Sequence, residues 1–209
     1  YPVWCSLFRI PFCKVPLTAD YRIDPQDYAV PNGGVILPNP NAPTGIGEGL
    51  EFVEALLQNN PDSIVIIDEA YIDFGGTSCL PLLEKYENLV VVQTMSKSRS
   101  LAGMRVGYAI ASPELIAALE AVKNSYNSYT MDMLTLDAAT ASVKDDAYFR
   151  ETCARVIQTR ERSAQTFREM CFTVLPSQTN FLLVAHPEKS AKELFEKLRA
   201  QKIFVRYFN

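Results

Sequence analysis

The sequence has few of the features that mark membrane, secreted or metal-binding proteins. It contains no run of eighteen apolar residues and no stretch with the pattern of a signal peptide. Its cysteines are five, an odd number, and they lack the Cys-x-x-Cys spacing of zinc and redox sites. The single histidine, His186, falls in a predicted turn, so we expect neither a metal site nor a catalytic histidine. Scattered free cysteines are typical of the reducing cytoplasm, where we expect this protein to act.

The chain also lacks an excess of positive charge. Twenty lysines and arginines stand against 24 aspartates and glutamates, which gives a net charge of −4 and a pI near 5.1. This balance argues against nucleic acid or an anionic membrane surface as a partner. With 209 residues, 48% of them hydrophobic, the chain can bury one sizeable core, or one domain and part of a second.

Three short apolar runs, rich in branched residues, each end abruptly in polar side chains. Residues 35–37 lead into the turn-rich segment PNPNAPTG, residues 63–67 lead into Asp68 and Tyr71, and residues 89–92 lead to Thr94, Ser96 and Lys97. The first two runs flank a segment, 50–59, whose apolar residues recur at helical spacing, an order that predicts parallel strands. Ligands of such sheets bind beyond the carboxyl ends of the strands.

The polar residues after the third run suit a phosphate-bearing ligand. Hydroxyl groups there lie beside a lysine and an arginine, which bind phosphate as point charge and planar fork respectively. Each segment taken singly could be an ordinary solvated loop. Three such segments at three strand ends favour a binding site.

The motifs NPNAPTG (39–45), DEAY (68–71) and TMSKSRSLAGMRVGY (94–108) resemble those of the fold-type I, pyridoxal-phosphate-dependent aminotransferases. The likeness is strongest to the subfamily that acts on histidinol phosphate, and it spans nearly the whole chain. Further matching stretches are YPVW (1–4), VPLTAD (15–20), YENLVVVQT (86–94), SQTNFLLV (177–184) and IFVR (203–206).

The resemblance implies the fold and its division into domains. It implies an α/β protein of PLP-transferase fold type I, with a large, mainly parallel sheet flanked by helices and part of a small α+β domain. A long helical pattern over 145–170 can bridge two domains. We therefore expect a large domain at 1–150, incomplete at its N-terminal side, and an incomplete small domain at 151–209. Short strands are also predicted at 12–17, 172–175, 180–184 and 203–206, and Ser112 is predicted to cap a helix that begins at Pro113.

The resemblance also assigns roles to the residues that match the family motifs. Lys97, expected as a buried amine near other cations, would form the Schiff base with pyridoxal 5'-phosphate and then shuttle a proton. Asp68 would pair with the pyridine nitrogen, and Tyr71 would donate a hydrogen bond to the phenolic oxygen. The remaining implied cofactor contacts are Thr94, Ser96 and Arg105 at the phosphate and Tyr1 stacked on the ring.

Three assignments leave alternatives open. Where the family often has Asn-Asn-Pro-Thr-Gly, this chain has Asn41-Ala42-Pro43, so either Asn41 bonds the phenolic oxygen or that bond is lost. Tyr126 is a substrate candidate, although Ser125 stands where proline is common, and a surface loop is the alternative. Arg206 is a candidate for the substrate phosphate, with a surface cation as its alternative.

The function implied is transfer of an amino group between histidinol phosphate, or a related amine or amino acid, and 2-oxoglutarate, in histidine biosynthesis. The alternatives are a sister enzyme, such as a threonine-phosphate decarboxylase or an aromatic aminotransferase, and a non-enzymatic sensor module. Family sites are built across a homodimer, which we expect here. Since the family's glycine-rich phosphate loop and its C-terminal arginine are not found in the chain, we also expect it to be the middle of a longer protein.

Overall fold

A four-stranded sheet forms the centre of the structure, a computed structural model that describes residues 1–208. Its strands are β1 (Gly34–Pro38), β2 (Ile64–Asp68), β3 (Leu89–Thr94) and β4 (Gly107–Ala111), in that spatial order. The first three are parallel and β4 runs antiparallel to β3. The link from β3 to β4 holds only loop and one short 3-10 turn, Ala102–Met104, so the chain turns straight back instead of crossing over. The predicted mainly parallel sheet is confirmed.

The helix between β1 and β2 buries its apolar stripe against this sheet. This helix is α2 (Leu50–Asn59), and the short helix α1 (Pro2–Leu7) lies before it in the chain. Val53, Leu56 and Leu57 recur at helical spacing and are almost completely buried. Burying each such side chain contributes about 1.5–3 kcal/mol. The strand residues in the same core cluster are Val35, Leu37, Val65, Ile67, Leu89 and Val91.

The second half of the chain is mostly helical. Its elements are α3 (Pro113–Tyr126), α4 (Met133–Lys144), α5 (Asp146–Glu169), β5 (Thr173–Val174), β6 (Val184–Ala185) and α6 (Ala191–Ala200). Strands β5 and β6 pair antiparallel as a small separate sheet. Among residues 1–208, no helix combines the length and apolar character needed to cross a bilayer.

Aspartates fix the starts of α4 and α5. Asp132 accepts a hydrogen bond from the backbone N–H of Thr135 at 2.7 Å, and Asp145 accepts one from Tyr148 at 3.3 Å. At α3, Ser112 occupies the predicted capping position, but its side chain makes no capping bond. The start of α3 therefore depends on Pro113, whose fixed φ suits the first helical turn.

Two predicted strands are wrong. Residues 12–17 and 203–206 are irregular, and the two strands of the small sheet are only two residues long each. A strand needs hydrogen bonds from a neighbour as well as an apolar sequence. In the described part of the chain, neither segment has a strand beside it.

Candidate active site at the carboxyl edge of the sheet

The register of the parallel strands brings the three predicted strand ends together. Pro38 lies opposite Asp68, and Asp68 lies opposite Val92. Backbone bonds continue this alignment past the strands, since Asn39 N–H donates to the carbonyl of Asp68 at 2.9 Å. The asparagine loop, Asp68 and the Lys97 loop consequently share one edge of the sheet.

Asp68 is held by two hydrogen bonds at the end of β2. Its Oδ2 accepts from the Tyr1 hydroxyl at 2.7 Å, and its Oδ1 accepts from the backbone N–H of Ala70 at 3.1 Å. Burial, and then the bond to the Asp68 carboxylate, raise the pKa of the Tyr1 phenol well above its ordinary value. Tyr1 therefore remains a donor, and each carboxylate oxygen keeps a lone pair for a further one.

Lys97 and Tyr71 are neighbours across this edge. The Lys97 ammonium lies 5.1 Å from the centre of the Tyr71 ring, within cation–π range. The ring of Phe181 meets Tyr71 edge to face, with the centroids 5.1 Å apart. The predicted burial of Lys97 is wrong, because the residue is exposed. Its loop projects beyond the end of β3, outside the core.

The loop that carries Lys97, residues 95–101, is fixed by its other side chains. Ser98 donates to Asp73 at 2.5 Å. Arg99 donates to the carbonyl of Ser142 at 2.7 Å, and its guanidinium lies 3.7 Å from the centre of the Phe149 ring. Ser98 and Arg99 were not predicted as anchors, because the whole polar run was interpreted as ligand-binding. Their position directly beside Lys97 was the available signal.

Two of the predicted phosphate contacts, Thr94 and Arg105, differ in how their polar groups are used. The Thr94 hydroxyl donates to the carbonyl of Val106 and accepts from Ser96 N–H, both at 3.1 Å. It has one proton and would have to release Val106 to donate to a phosphate. Arg105 is exposed, has a left-handed φ of 56° and donates one bond, to the carbonyl of Ala102 at 2.9 Å. A guanidinium carries five N–H groups, so this bond leaves donors for an anion.

The asparagine loop uses its two asparagines differently. Asn39 is buried and forms two hydrogen bonds with the backbone of Glu48. The side-chain amide of Asn39 donates to the Glu48 carbonyl at 3.0 Å, and the Glu48 N–H donates to the side-chain oxygen of Asn39 at 2.8 Å. Asn41 accepts from the Thr44 hydroxyl at 2.9 Å through its side-chain oxygen. Asn39 therefore shapes the loop. Within residues 1–208, the side-chain N–H groups of Asn41 donate no hydrogen bond, so they can donate to a ligand. Ala42 has no polar side-chain atom to offer a ligand.

A buried carboxylate behind Asp68 was also missed. Glu69 is 2% exposed and accepts from Ser78 Oγ at 2.7 Å, Cys79 N–H at 2.7 Å and Gln93 Nε2 at 2.8 Å. Tyr108 in turn donates to Gln93 at 2.8 Å. The network ties together the ends of β2, β3 and β4. An acidic pair directly after an apolar strand was the signal, since only one of two adjacent residues can face the ligand.

The structure does not bring the two substrate candidates to this cluster. Tyr126 is the last residue of α3 and is 82% exposed, and Arg206 is exposed beyond α6. Across residues 1–208, no hydrogen bond, ion pair or ring contact joins either residue to Asp68, Tyr71 or Lys97. Both remain predictions.

Comparison with known proteins identifies the family of this chain. The sequence model of the family "Aminotransferase class I and II" matches residues 1–209. The histidinol-phosphate aminotransferase of Acinetobacter baumannii (strain AYE) is 54% identical over 209 residues, which are 100% of this chain and 58% of that protein.

Two solved structures agree with the fold. The histidinol-phosphate aminotransferase of Clostridium acetobutylicum superposes with a TM-score of 0.90 at 26% identity, over 99% of this chain and 64% of that one. The enzyme of Sinorhizobium meliloti, solved in complex with pyridoxal-5'-phosphate, gives a TM-score of 0.81 at 26% identity, over 99% and 59%. This chain thus spans somewhat more than half the length of its relatives. It belongs to the aminotransferase class I and II family.

Proposed function

We propose that this protein is a pyridoxal-phosphate-dependent aminotransferase that moves an amino group between histidinol phosphate, or a related amine or amino acid, and 2-oxoglutarate, in histidine biosynthesis. In either direction the amine that gives up its amino group would become a ketone or 2-oxo acid and its partner would become the amine, with no net oxidation. The observation that carries the proposal is the meeting of Asp68, Tyr71 and Lys97 at adjacent strand ends, in a chain 54% identical to a histidinol-phosphate aminotransferase.

The residues present fit the chemistry of this cofactor. A protonated pyridine nitrogen needs a fixed carboxylate, and Asp68 is oriented by two hydrogen bonds with lone pairs to spare. An aldehyde needs an amine and the neighbouring ring oxygen needs a donor, and Lys97 and Tyr71 lie side by side. A phosphate needs hydroxyl and cationic donors, which Ser96 and Arg105 supply.

Each of these side chains would have a distinct task. When bound, pyridoxal phosphate supplies a conjugated ring that takes up the electron pair released as the substrate carbon loses its proton. Asp68, as an anion, would keep the ring nitrogen protonated. Lys97 would take the proton from the substrate carbon that bears the amino group and return it at the C4′ carbon of the cofactor. Tyr71 would donate to the ring oxygen, and Tyr1 would lie against the ring.

The remaining assignments complete the proposal. Asn41 would bond the phenolic oxygen through its amide. Thr94 would release the carbonyl of Val106 to donate to the phosphate, and it would also support the site through its bond to Ser96. Tyr126 and Arg206 would contact the substrate, Arg206 at its phosphate.

At the level of the whole molecule, we propose a large cofactor-binding domain at 1–150 and a small domain at 151–209. Helix α5 crosses this boundary. We also propose a cytoplasmic homodimer, and the five cysteines, all free, are compatible with a reducing compartment.

A screen of amino donors on the intact gene product tests the proposal. Histidinol phosphate, threonine phosphate and the aromatic amino acids would each be offered with 2-oxoglutarate, and glutamate and carbon dioxide would be measured. The highest kcat/KM is expected with histidinol phosphate, with glutamate formed and no carbon dioxide. Carbon dioxide from threonine phosphate would identify a decarboxylase, and cofactor binding without turnover of any donor would favour a sensor.

A further inference from the structure

Arg160, in the middle of α5, bonds two segments that are far apart in the sequence. Its side chain is only 8% exposed. Its Nη1 donates to the carbonyl of Phe74 at 2.7 Å and to that of Thr179 at 3.0 Å. Its Nη2 pairs with Glu161 at 2.7 Å, a residue that is itself mostly exposed. A guanidinium stays charged and directs several donors at once, so one side chain can satisfy both carbonyls.

The first of these segments carries Tyr71. Phe74 closes the short turn Ile72–Phe74, in which the N–H of Phe74 donates to the carbonyl of Tyr71 at 3.1 Å. Gly75 follows with a φ of 106°, which lets the chain turn sharply away. The bond from Arg160 therefore holds the turn that directly follows Tyr71.

The second segment, residues 177–181, contacts the same tyrosine through the ring of Phe181. Thr179 is completely buried, and the hydroxyls of Ser177 and Thr179 donate to the carbonyl of Phe181 at 2.7 Å and 3.1 Å. The ring of Phe181 in turn meets Tyr71 edge to face. Arg160 thus supports the tyrosine through its own turn and through its ring neighbour.

The same segment also locks the asparagine loop. Gln178 N–H donates to the carbonyl of Gly45 at 2.8 Å. Gly45 has a φ of 83°, and a Cβ there would lie 2.7 Å from Ser177 Oγ, so only glycine permits this approach. Three loops, around residues 39–45, 71–75 and 177–181, therefore meet at one place.

We propose that Arg160 is a positioning residue for the candidate active site. It holds the Tyr71 turn and segment 177–181 in one arrangement, and this arrangement aims the Tyr71 hydroxyl at the phenolic oxygen of the cofactor. The inference rests on the proposed function, since it assumes that Tyr71 serves pyridoxal phosphate. Because Arg160 bonds both segments, its loss removes one hydrogen bond from each of them at once.

The test is a titration of the bound cofactor in the intact gene product, for which Arg160→Met keeps much of the apolar stem and removes the donors. A hydrogen bond to an ionised oxygen lowers the pKa of the group that contains it, so loosening Tyr71 should raise that pKa. The pH midpoint of the near-visible absorption band should move upward, by about one unit for a tenfold loss of stabilisation. A misplaced catalytic group should also lower kcat/KM by roughly 10- to 100-fold. Arg160→Lys, which keeps a charged donor of shorter reach, should restore part of both.

Two matched variants separate positioning from general stability. Arg155→Met removes an exposed arginine of the same helix, which pairs with Glu151 at 3.8 Å, and should change neither readout. In a Tyr71→Phe background, Arg160→Met should produce almost no further shift of the midpoint, because the bond it supports is already gone. If Arg160→Met does not fold, the same comparison is made with Arg160→Lys.

The outcomes distinguish the two claims. The positioning role would be overturned if the wild-type protein shows the band but a folded Arg160 variant has the same pH midpoint. It would also be overturned if the Arg160 substitution shifts the midpoint equally in the wild-type and Tyr71→Phe backgrounds. Either outcome would leave the proposed function intact. A wild-type protein that never develops the band would overturn the proposed function, and this inference with it.

Discussion

Asp68 illustrates how single residues acquire their chemistry in this structure. The carboxylate stands at the end of a buried strand, and bonds from Tyr1 and from the backbone of Ala70 fix its direction. A fixed anion with free lone pairs does not have to reorganise when a cationic N–H arrives, which is where preorganised electrostatics gain their strength. Charge, more than shape, is therefore the property of Asp68 on which the proposed reaction depends.

Asp68→Asn is expected to lower kcat by about 100-fold or more while cofactor content falls little. The amide has nearly the same shape, but it cannot hold the ring nitrogen protonated, so stabilisation is lost in the transition state and not in binding. Steady-state kinetics and the ratio of cofactor to protein would be measured together. Asp62→Asn, at an exposed position before β2, is the control. A near-normal kcat in Asp68→Asn would show that Asp68 only orders the turn after β2.

Arg105→Lys is expected to weaken cofactor binding although the charge is kept. The lysine loses the planar pair of donors that grips a phosphate, at a cost of about 1–3 kcal/mol. The dissociation constant of pyridoxal phosphate, measured by fluorescence titration, should rise about 5- to 150-fold. Arg150→Lys, on the exposed face of α5, should leave it unchanged. An unaltered constant in Arg105→Lys would remove Arg105 from the phosphate site.

The sequence was sufficient to single out Asp68, Tyr71 and Lys97, because the change from apolar strand to polar loop is visible in the chain itself. It was insufficient for their surroundings. The exposure of Lys97, the bond between Tyr1 and Asp68, and the anchoring of the Lys97 loop by Arg99 all depend on residues distant in sequence. The role of Arg160 was not predicted for the same reason, since its two hydrogen-bond partners lie 86 and 19 residues away in the sequence.

At the scale of elements, the buried network of Glu69 shows how neighbouring strand ends are held together. Glu69 receives bonds from the Cys79 backbone, from Ser78 and from Gln93, so both oxygens of this buried side chain are hydrogen-bonded. Burial, and then the nearby Glu69 carboxylate, raise the pKa of the Cys79 thiol well above its ordinary value.

Cys79 is therefore expected to resist alkylation in the folded protein. Only the thiolate reacts, and a raised pKa keeps Cys79 protonated at pH 8.5, whereas exposed Cys171 should be labelled readily. Mass spectrometry after timed iodoacetamide treatment would measure each site, and the same protein in denaturant provides the control. Equal labelling rates for Cys79 and Cys171 in the native state would contradict the burial and charge described here.

Elements were predictable where a strongly apolar run or a helical repeat marks them in the sequence. The strands β1 to β3 and the helix α2 follow from apolar runs and helical spacing, and the structure confirms them. The strands expected at 12–17 and 203–206 failed because strand formation depends on a partner elsewhere in the chain. The antiparallel direction of β4 was likewise set by its connection and not by its own residues.

At the scale of the whole molecule, family and fold agree, and the site lies where open α/β sheets bind ligands. The three strand ends belong to the proposed large domain, whereas Arg160 and segment 177–181 belong to the proposed small one. The contact of Phe181 with Tyr71 therefore makes the candidate site depend on both parts of the chain. The central claim that unites these features is that the cofactor is bound covalently through Lys97.

The most direct measurement is to reduce the cofactor-loaded gene product with borohydride and map the modified peptide by mass spectrometry. The pyridoxyl group is expected on Lys97 alone, and Lys97→Ala should abolish it while near-ultraviolet circular dichroism shows an intact fold. Lys85→Ala, which removes a surface lysine paired with Glu54, should leave the modification in place. A pyridoxyl group on any other lysine, or its persistence in Lys97→Ala, would contradict the account.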